Sequence, residues 1–321
     1  MEKSFSSVFV LISTAFLTGC ATLSTPSKIF PSAPGTTSNA ENLTRETNDP
    51  SQESYPSISP DGRYLLYNAV ETTSSLGMSA NGSISQKTDR KSMIVKKEIG
   101  KPTKNPLVTN GTDPTWMPDG SGIIFSYVKP AKPVIVRTNP DGIGLNYISQ
   151  GEMGEDDAEP VVTKDGRKVI FTTLIGASRM ICSMDAKGGN YTVLTDGSHV
   201  RISPSDNNKL IYNSKVGEFI QIFTMDLLSG QKTQLTTGEY HNRDGAFSVN
   251  GQHIAFSSNR ENPKSGNTHI YAMKSDGTGL VQLTQGETDE GDPCWAPDGQ
   301  VYFYSNAEKN YNIWKVKPRG M

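Results

Sequence analysis

Short apolar runs recur along this chain, each introduced by a turn and separated from the next by polar residues. Tyr64-Leu65-Leu66-Tyr67 follows Ser59-Pro60-Asp61-Gly62, Ile123-Ile124-Phe125-Ser126 follows Met117-Pro118-Asp119-Gly120, and Val169-Ile170-Phe171-Thr172 follows Thr163-Lys164-Asp165-Gly166. The same arrangement returns at Leu210-Ile211-Tyr212-Asn213 after Ser203-Pro204-Ser205-Asp206, at Ile254-Ala255-Phe256-Ser257 after Ser248-Val249-Asn250-Gly251, and at Val301-Tyr302-Phe303-Tyr304 after Ala296-Pro297-Asp298-Gly299. Runs this short, rich in β-branched and aromatic residues, predict buried strands. Asp-Gly and Asn-Gly supply the positive-φ positions of tight hairpin turns, and proline presets the turn before them. One apolar residue precedes each turn: Ile58, Trp116, Val162, Ile202, Phe247 and Trp295. This column is expected to pack between neighbouring units.

Each repeat then predicts two further strands. The third reads Met93-Ile94-Val95, Val134-Ile135-Val136, Met180-Ile181-Cys182, Ile222-Phe223-Thr224, Ile270-Tyr271-Ala272 and Ile313-Trp314-Lys315. The fourth ends in a Leu-Thr-like pair: Val108-Thr109, Ile148-Ser149, Leu194-Thr195, Leu235-Thr236 and Leu283-Thr284. The turns lie about 41–58 residues apart, the size of a four-stranded propeller blade. The chain stops at Met321 without a sixth fourth strand, and the missing pair stands at the front as Leu43-Thr44. The expectation is an all-β fold, a six-bladed β-propeller of four-stranded blades spanning residues 39–321, closed by an N-terminal strand that completes the last blade. A closed ring leaves only short, protected edges.

Before the repeats, Val8 to Leu17 is apolar over a signal-peptide length and too short to span a bilayer. Leu17-Thr18-Gly19-Cys20 follows and looks like a bacterial lipobox. Residues 1–19 are therefore expected to be a lipoprotein signal peptide, with Cys20 lipidated after cleavage. Two or three acyl chains hold a protein at a membrane where one gives only marginal binding. Ala21 in place of Asp implies, by similarity to lipoprotein sorting, the outer membrane, with the domain facing the periplasm or the cell surface. Residues 20–38, rich in Ser, Thr and Pro, read as a flexible tether.

Net charge is −2 with no basic run, which excludes a phosphate-binding footprint and hence nucleic acid as a partner. There is no Gly-x-Ser-x-Gly elbow, P-loop, His-Glu-x-x-His or Cys-x-x-Cys, so no catalytic residue, cofactor or metal set is assigned. The four histidines, His199, His241, His253 and His269, could build a metal site, but nothing in the sequence supports one. Acidic residues gather between blades: Glu152, Glu155, Asp156, Asp157 and Glu159, then Glu287, Asp289, Glu290 and Asp292. These are either solvated turns whose carboxylates cap the connection, or a site for a cation or basic partner at the channel mouth. Glu71 to Lys91 is a polar insertion in the first blade, read as a binding loop, or else as a variable loop or a longer hairpin. Cys182 and Cys294 fall in opposite blades, too far apart for a disulfide, and are expected to act as small buried hydrophobes.

Ser-Pro-Asp-Gly at 59–62, Ala-Pro-Asp-Gly at 296–299, Phe-Ser-Ser-Asn-Arg at 256–260 and Gln-Leu-Thr at 282–284 resemble the repeats of the TolB propeller and its WD-like relatives. The resemblance covers residues 40–321 and leaves no room for the α/β domain that precedes the TolB propeller. It implies a protein-binding scaffold in the cell envelope, with the peptidoglycan-associated lipoprotein as a candidate partner. The alternative is a propeller enzyme, a metal-dependent lactonase, lyase or hydrolase with its site at the channel mouth.

Overall fold

Strands with both faces apolar need a neighbour on each side, and the fold supplies one to every blade. The computed structural model describes residues 34–78, 83–129, 132–264 and 266–321. The expected signal peptide (1–19), Cys20 and most of the expected tether lie outside the described residues. Six antiparallel sheets of four strands follow one another. Blade 1 is Gln52–Ile58, Tyr64–Met78, Ile84–Glu98 and Lys104–Thr109; blade 2 is Gly111–Trp116, Ile123–Val128, Pro133–Thr138 and Asn146–Tyr147. Blade 3 is Ala158–Val162, Lys168–Ile175, Ser178–Asp185 and Thr192–Asp196; blade 4 is Ser198–Ile202, Lys209–Val216, Phe219–Asp226 and Lys232–Gln234. Blade 5 is Asn242–Phe247, His253–Ser258, His269–Lys274 and Val281–Gln282. Blade 6 is Glu290–Trp295, Val301–Ser305 and Asn312–Pro318, and its outer strand is Ala40–Arg45 from the front of the chain.

The core lies between blades, and alternation along the second strands builds it. In blade 2, Ile123 and Phe125 pack on blade 1 with Leu66 and Ile94, while Ile124 packs on blade 3 with Val169 and Phe171. In blade 3, Ile170 turns the other way, to Leu210 and Tyr212 of blade 4. In blade 6, Phe303 faces blade 5 beside Ala255 and Ile270, while Tyr302 faces blade 1 beside Leu65 and Tyr67. A one-residue slip would exchange the two faces of a blade, so the register is fixed from both sides. The six column residues, Ile58 to Trp295, each join one of these inter-blade clusters, as expected. The turns are tightened by their own side chains. Ser59 Oγ donates to Asp61 Oδ1 at 2.5 Å, the Arg63 N–H donates to the same oxygen at 3.1 Å, and Gly62 takes φ 73°.

Antiparallel order puts the Pro-Asp-Gly turns on one face of the ring, here the turn face. The passages from each outer strand to the next inner strand lie on the other, the connection face. Ala40–Arg45 pairs antiparallel with Asn312–Pro318, Thr44 opposite Lys315 and Arg45 opposite Trp314. The closing strand is where the sequence placed it, but its Leu-Thr register is not. In blade 5 the Ile270 N–H donates to Thr284 Oγ1 at 2.8 Å; in blade 6 the Ile313 N–H donates to Thr47 Oγ1 at 2.8 Å. Thr47, not Thr44, holds the position, and Glu46 stands where other blades place valine, isoleucine or leucine. The Glu46 side chain is buried, bonded to Lys97 of blade 1 at 2.5 Å and to Lys315 of blade 6 at 2.9 Å. Burial works against its charge, but the two ammonium groups and the Gly100 N–H outweigh it and hold its pKa below the usual carboxylate range.

Ahead of this strand, Gly35–Thr36 pairs with Thr284–Gln285, so the last residues of the stretch read as tether lie against blade 5. The insertion of blade 1 is a longer hairpin: Glu71 to Met78 pairs residue for residue with Lys91 to Ile84. Cys182 is a core residue between blades 2 and 3; Cys294 is only half-buried, because it faces the channel mouth rather than a blade interface.

Two measurements check the closure. Deleting residues 39–46 should lower the thermal midpoint markedly, and a variant melting like the parent would remove the closure reading. Glu46→Ala leaves the buried Lys97 and the half-buried Lys315 without their counter-charge and should cost about 1–3 kcal/mol in denaturant unfolding near neutral pH. Because the Glu46 pKa is depressed, this contribution is complete above pH ~4.5 and fades as pH falls through the folded value.

Candidate functional site in the channel

Each inner strand carries a bulge, and each bulge places one non-glycine residue in the left-handed region. These are Tyr55 (φ 52°), Asp113 (52°), Glu159 (53°), His199 (50°), Asp244 (61°) and Asp292 (49°). The register shifts at the matching place in all six inner strands, as between Thr112 and Thr115 or Ser198 and Arg201. A bulge leaves backbone groups outside the ladder, and buried N–H groups need acceptors. The preceding blade supplies them: the Glu159 N–H donates to Asp113 Oδ2 at 3.5 Å, the His199 N–H to Glu159 Oε2 at 2.7 Å, and the Tyr55 N–H to Asp292 Oδ2 at 3.3 Å. His199 offers no anionic acceptor, and there the Asp244 N–H turns to Asn213 Oδ1 at 3.0 Å. The ring is thus tied from blade to blade by carboxylate–amide bonds.

His199 is the cation of this ring. Its Nδ1 lies 3.0 Å from Glu159 Oε1, and its Nε2 lies 3.2 Å from Asp292 Oδ1 and 3.4 Å from Asp244 Oδ1. The Tyr55 ring stacks on the imidazole at 5.7 Å. Burial opposes the imidazolium, but the charges of Glu159 and Asp244 and the Asp292 bond outweigh it and raise the His199 pKa well above 6.5. Burial likewise opposes the Glu159 carboxylate, and the His199 charge overcomes this and holds it at about 2. Asp113, farther from His199, is pushed up to about 6 by burial and by the Glu159 charge. With carboxylates against both ring nitrogens, the imidazole is held protonated. His199, Asp244 and Asp292 also present one ligand atom each within 4.8 Å of one another, a set that suits a divalent metal if the imidazole gives up its proton.

The channel has two unlike mouths. On the connection face, a cavity of ≈ 420 Å³ is lined by Glu53, Tyr55, His199, Arg243, Asp244 and Asp292. On the turn face, a cavity of ≈ 320 Å³ is lined by the apolar column, with Trp116, Phe247 and Trp295 prominent. Lys164 and Arg201 are its only charged lining among the described residues.

The acidic residues singled out from the sequence divide by role. Asp157 accepts hydrogen bonds from Ser149 and Thr173, and Glu290 from Thr284 and Thr288; both are buried and lock the connections. Asp156 pairs with Arg179, Asp289 accepts from Thr268, and Glu152 accepts from Tyr191. Glu159 and Asp292 alone of that group enter the channel ring. Tyr55, Asp113 and Asp244 have no place in the sequence reading, and His199 figures there only as one of four histidines. The signal is positional: each ring residue stands three places before its column residue, as Asp113 before Trp116 and Asp292 before Trp295.

His199→Gln removes the cation shared by these buried carboxylates and should destabilise the fold by about 3–5 kcal/mol at pH 6. The His199 pKa is raised, so this contribution is complete below pH ~6.5 and lost as pH rises through the folded value. Denaturant unfolding of both forms across pH 6–10 measures it, and a pH-independent difference would contradict the assignment of charge to His199.

Three solved structures share the fold. A protein assigned as TolB from Agrobacterium tumefaciens aligns at 20% identity over 68% of this chain and 81% of its own, with TM-score 0.57. TolB from Acinetobacter baumannii aligns at 19% over 72% of this chain, TM-score 0.56, and this chain spans 60% of its length. An oligogalacturonate lyase from Vibrio parahaemolyticus aligns at 10% over 90% of this chain and 97% of its own, TM-score 0.56. No curated protein matches the chain in sequence. Residues 201–320, covering blades 4 to 6, match the model of the TolB β-propeller domain. Repeats, blade order and these similarities together make the chain a six-bladed β-propeller whose last three blades are similar to the TolB propeller domain.

Proposed function

We propose that this protein is a cell-envelope lipoprotein, anchored through Cys20 in the outer membrane, whose propeller binds a protein partner at the turn-face mouth. The observation that carries the reading is the ≈ 320 Å³ cavity lined by the apolar column and rimmed by Lys164 and Arg201. Concave apolar sites with a few placed polar groups are where ligands bind. The chemistry fits a protruding segment that brings an apolar side chain for the funnel and a carboxylate for the Arg201 guanidinium. The peptidoglycan-associated lipoprotein is the first partner to try, since the resemblance to TolB points there.

The test is photo-crosslinking in intact cells from a reactive residue at Thr115, in the funnel, against one at Lys232, on the outer strand of blade 4. A partner captured from Thr115 and not from Lys232 is expected. Lys164→Glu with Arg201→Gln should weaken that partner's binding at least about tenfold, ~1.4 kcal/mol, in a protein that still melts cooperatively. Equal capture from both positions, or none from Thr115, would sink the reading.

The His199, Asp244 and Asp292 trio favours a second reading, a metal-dependent lactonase, lyase or hydrolase acting at the connection-face mouth. A structural neighbour is an oligogalacturonate lyase described in complex with manganese. Metal uptake here would displace the His199 proton, so manganese or zinc should bind more tightly as pH rises. Elemental analysis and titration of purified protein decide it: stoichiometric metal lost in His199→Gln supports the enzyme, and a metal-free protein that takes up neither ion removes it.

A further inference from the structure

The hairpin of blade 1 is the largest departure from the repeat. Its strands run 15 residues each, against 5 to 8 for the second and third strands of the other blades. Beyond Val70 on one strand and Ser92 on the other, neither has a further strand partner among the described residues. The projecting part, Glu71 to Met78 against Lys91 to Ile84, extends about 25 Å at ~3.3 Å per residue. It leaves the ring on the connection face.

Leu76 pairs opposite Gln86 and Met78 opposite Ile84. Alternation therefore places Leu76, Met78 and Ile84 on one side of the ribbon, at its far end. They are 76%, 78% and 72% exposed, among the most exposed large apolar side chains of the described residues. Lys87, Arg90 and Lys91 stand behind them, starting about 10 Å from Ile84. The acidic residues of the same projecting part are Glu71 and Asp89, the latter paired with Lys87 at 3.0 Å. An apolar end with cations set back by the depth of a headgroup layer is the pattern of a segment that enters the boundary between headgroups and acyl chains.

The position of the chain's start selects the same occupant. Gly35–Thr36 lies against Thr284–Gln285, past the end of the outer strand of blade 5, so the described chain also begins on the connection face. From Cys20 to Pro34 the chain reaches at most about 45–50 Å, enough to span the ~25 Å that the hairpin projects. The carboxylates of the connection face would then stand farther from the headgroups than the ~8 Å over which salt screens charge.

We infer that this hairpin is a second membrane contact: Leu76, Met78 and Ile84 enter the bilayer that holds Cys20, and Lys87, Arg90 and Lys91 meet its anionic headgroups. The inference rests on the lipid-anchor reading. It stands the propeller on the membrane with its connection face inward and the turn-face funnel outward.

The test uses the full lipoprotein, reconstituted into vesicles of phosphatidylethanolamine and phosphatidylglycerol with or without brominated acyl chains. Trp116, Trp295 and Trp314 are buried in blade interfaces and give a constant background. Leu76→Trp should add emission that shifts to the blue on vesicles and is lost with brominated lipid. Adding Met78→Glu and Ile84→Glu should restore the emission, and Val249→Trp on the turn face should stay unquenched. Flotation reports the anchor separately. Protein that floats with an unquenched Trp at position 76 overturns the hairpin contact and leaves the anchor standing; protein that does not float overturns both.

Discussion

Everything in this molecule depends on six residues from the front of the chain taking the outer place in the last blade. Without Ala40–Arg45, the third strand of blade 6 would be an open edge, and Trp314 and Val316 would lose Ala40 and Leu43 from their cluster. An open edge is a template for unwanted pairing. The strand also delivers Glu46 to the seam, where one carboxylate serves a lysine from each of blades 1 and 6. First and last blades are therefore joined by backbone ladder, apolar packing and a largely buried charge triad together. The cost of desolvating three charges is tolerable only because each has its partner.

Closure has a second effect, at the axis. Six inner strands converging on one channel leave little room, and each answers with the same bulge. The bulge turns one side chain from every blade inward and frees a backbone N–H, and most of the acids there accept such a bond before they do anything else. His199 breaks that chain of acceptors and takes up the surplus negative charge instead. Structural necessity and chemical opportunity coincide at the same atoms. For this reason acidic residues near the axis do not by themselves announce an active centre.

The fold was legible because its signals are local and repeated. Pro-Asp-Gly turns, apolar runs of alternating facing and the unmatched Leu-Thr pair all survive in a single sequence. The ring was not legible, because Tyr55, Asp113, Glu159, His199, Asp244 and Asp292 share a backbone conformation and no side-chain chemistry. Left-handed geometry at a tyrosine or glutamate leaves no trace in residue type. The exchange of Thr44 for Thr47 has a similar origin: the pattern Leu-Thr was present, but hydrogen bonding to the Ile313 N–H decided which hydroxyl mattered. In the insertion of blade 1, a run of Thr and Ser left loop and hairpin equally open, and strands that pair without interruption from Glu71 to Met78 decide for the hairpin.

The channel ring has a consequence for how such a protein changes over generations. Its six positions are set by backbone bulges that lie apart from the inter-blade clusters. A substitution at one of the charged positions rewrites the charge along the axis and also alters the bonds that tie neighbouring blades. Descendants of one scaffold would thus diverge in what they hold at the centre through coupled substitutions around the axis, since each side chain there answers to its neighbours.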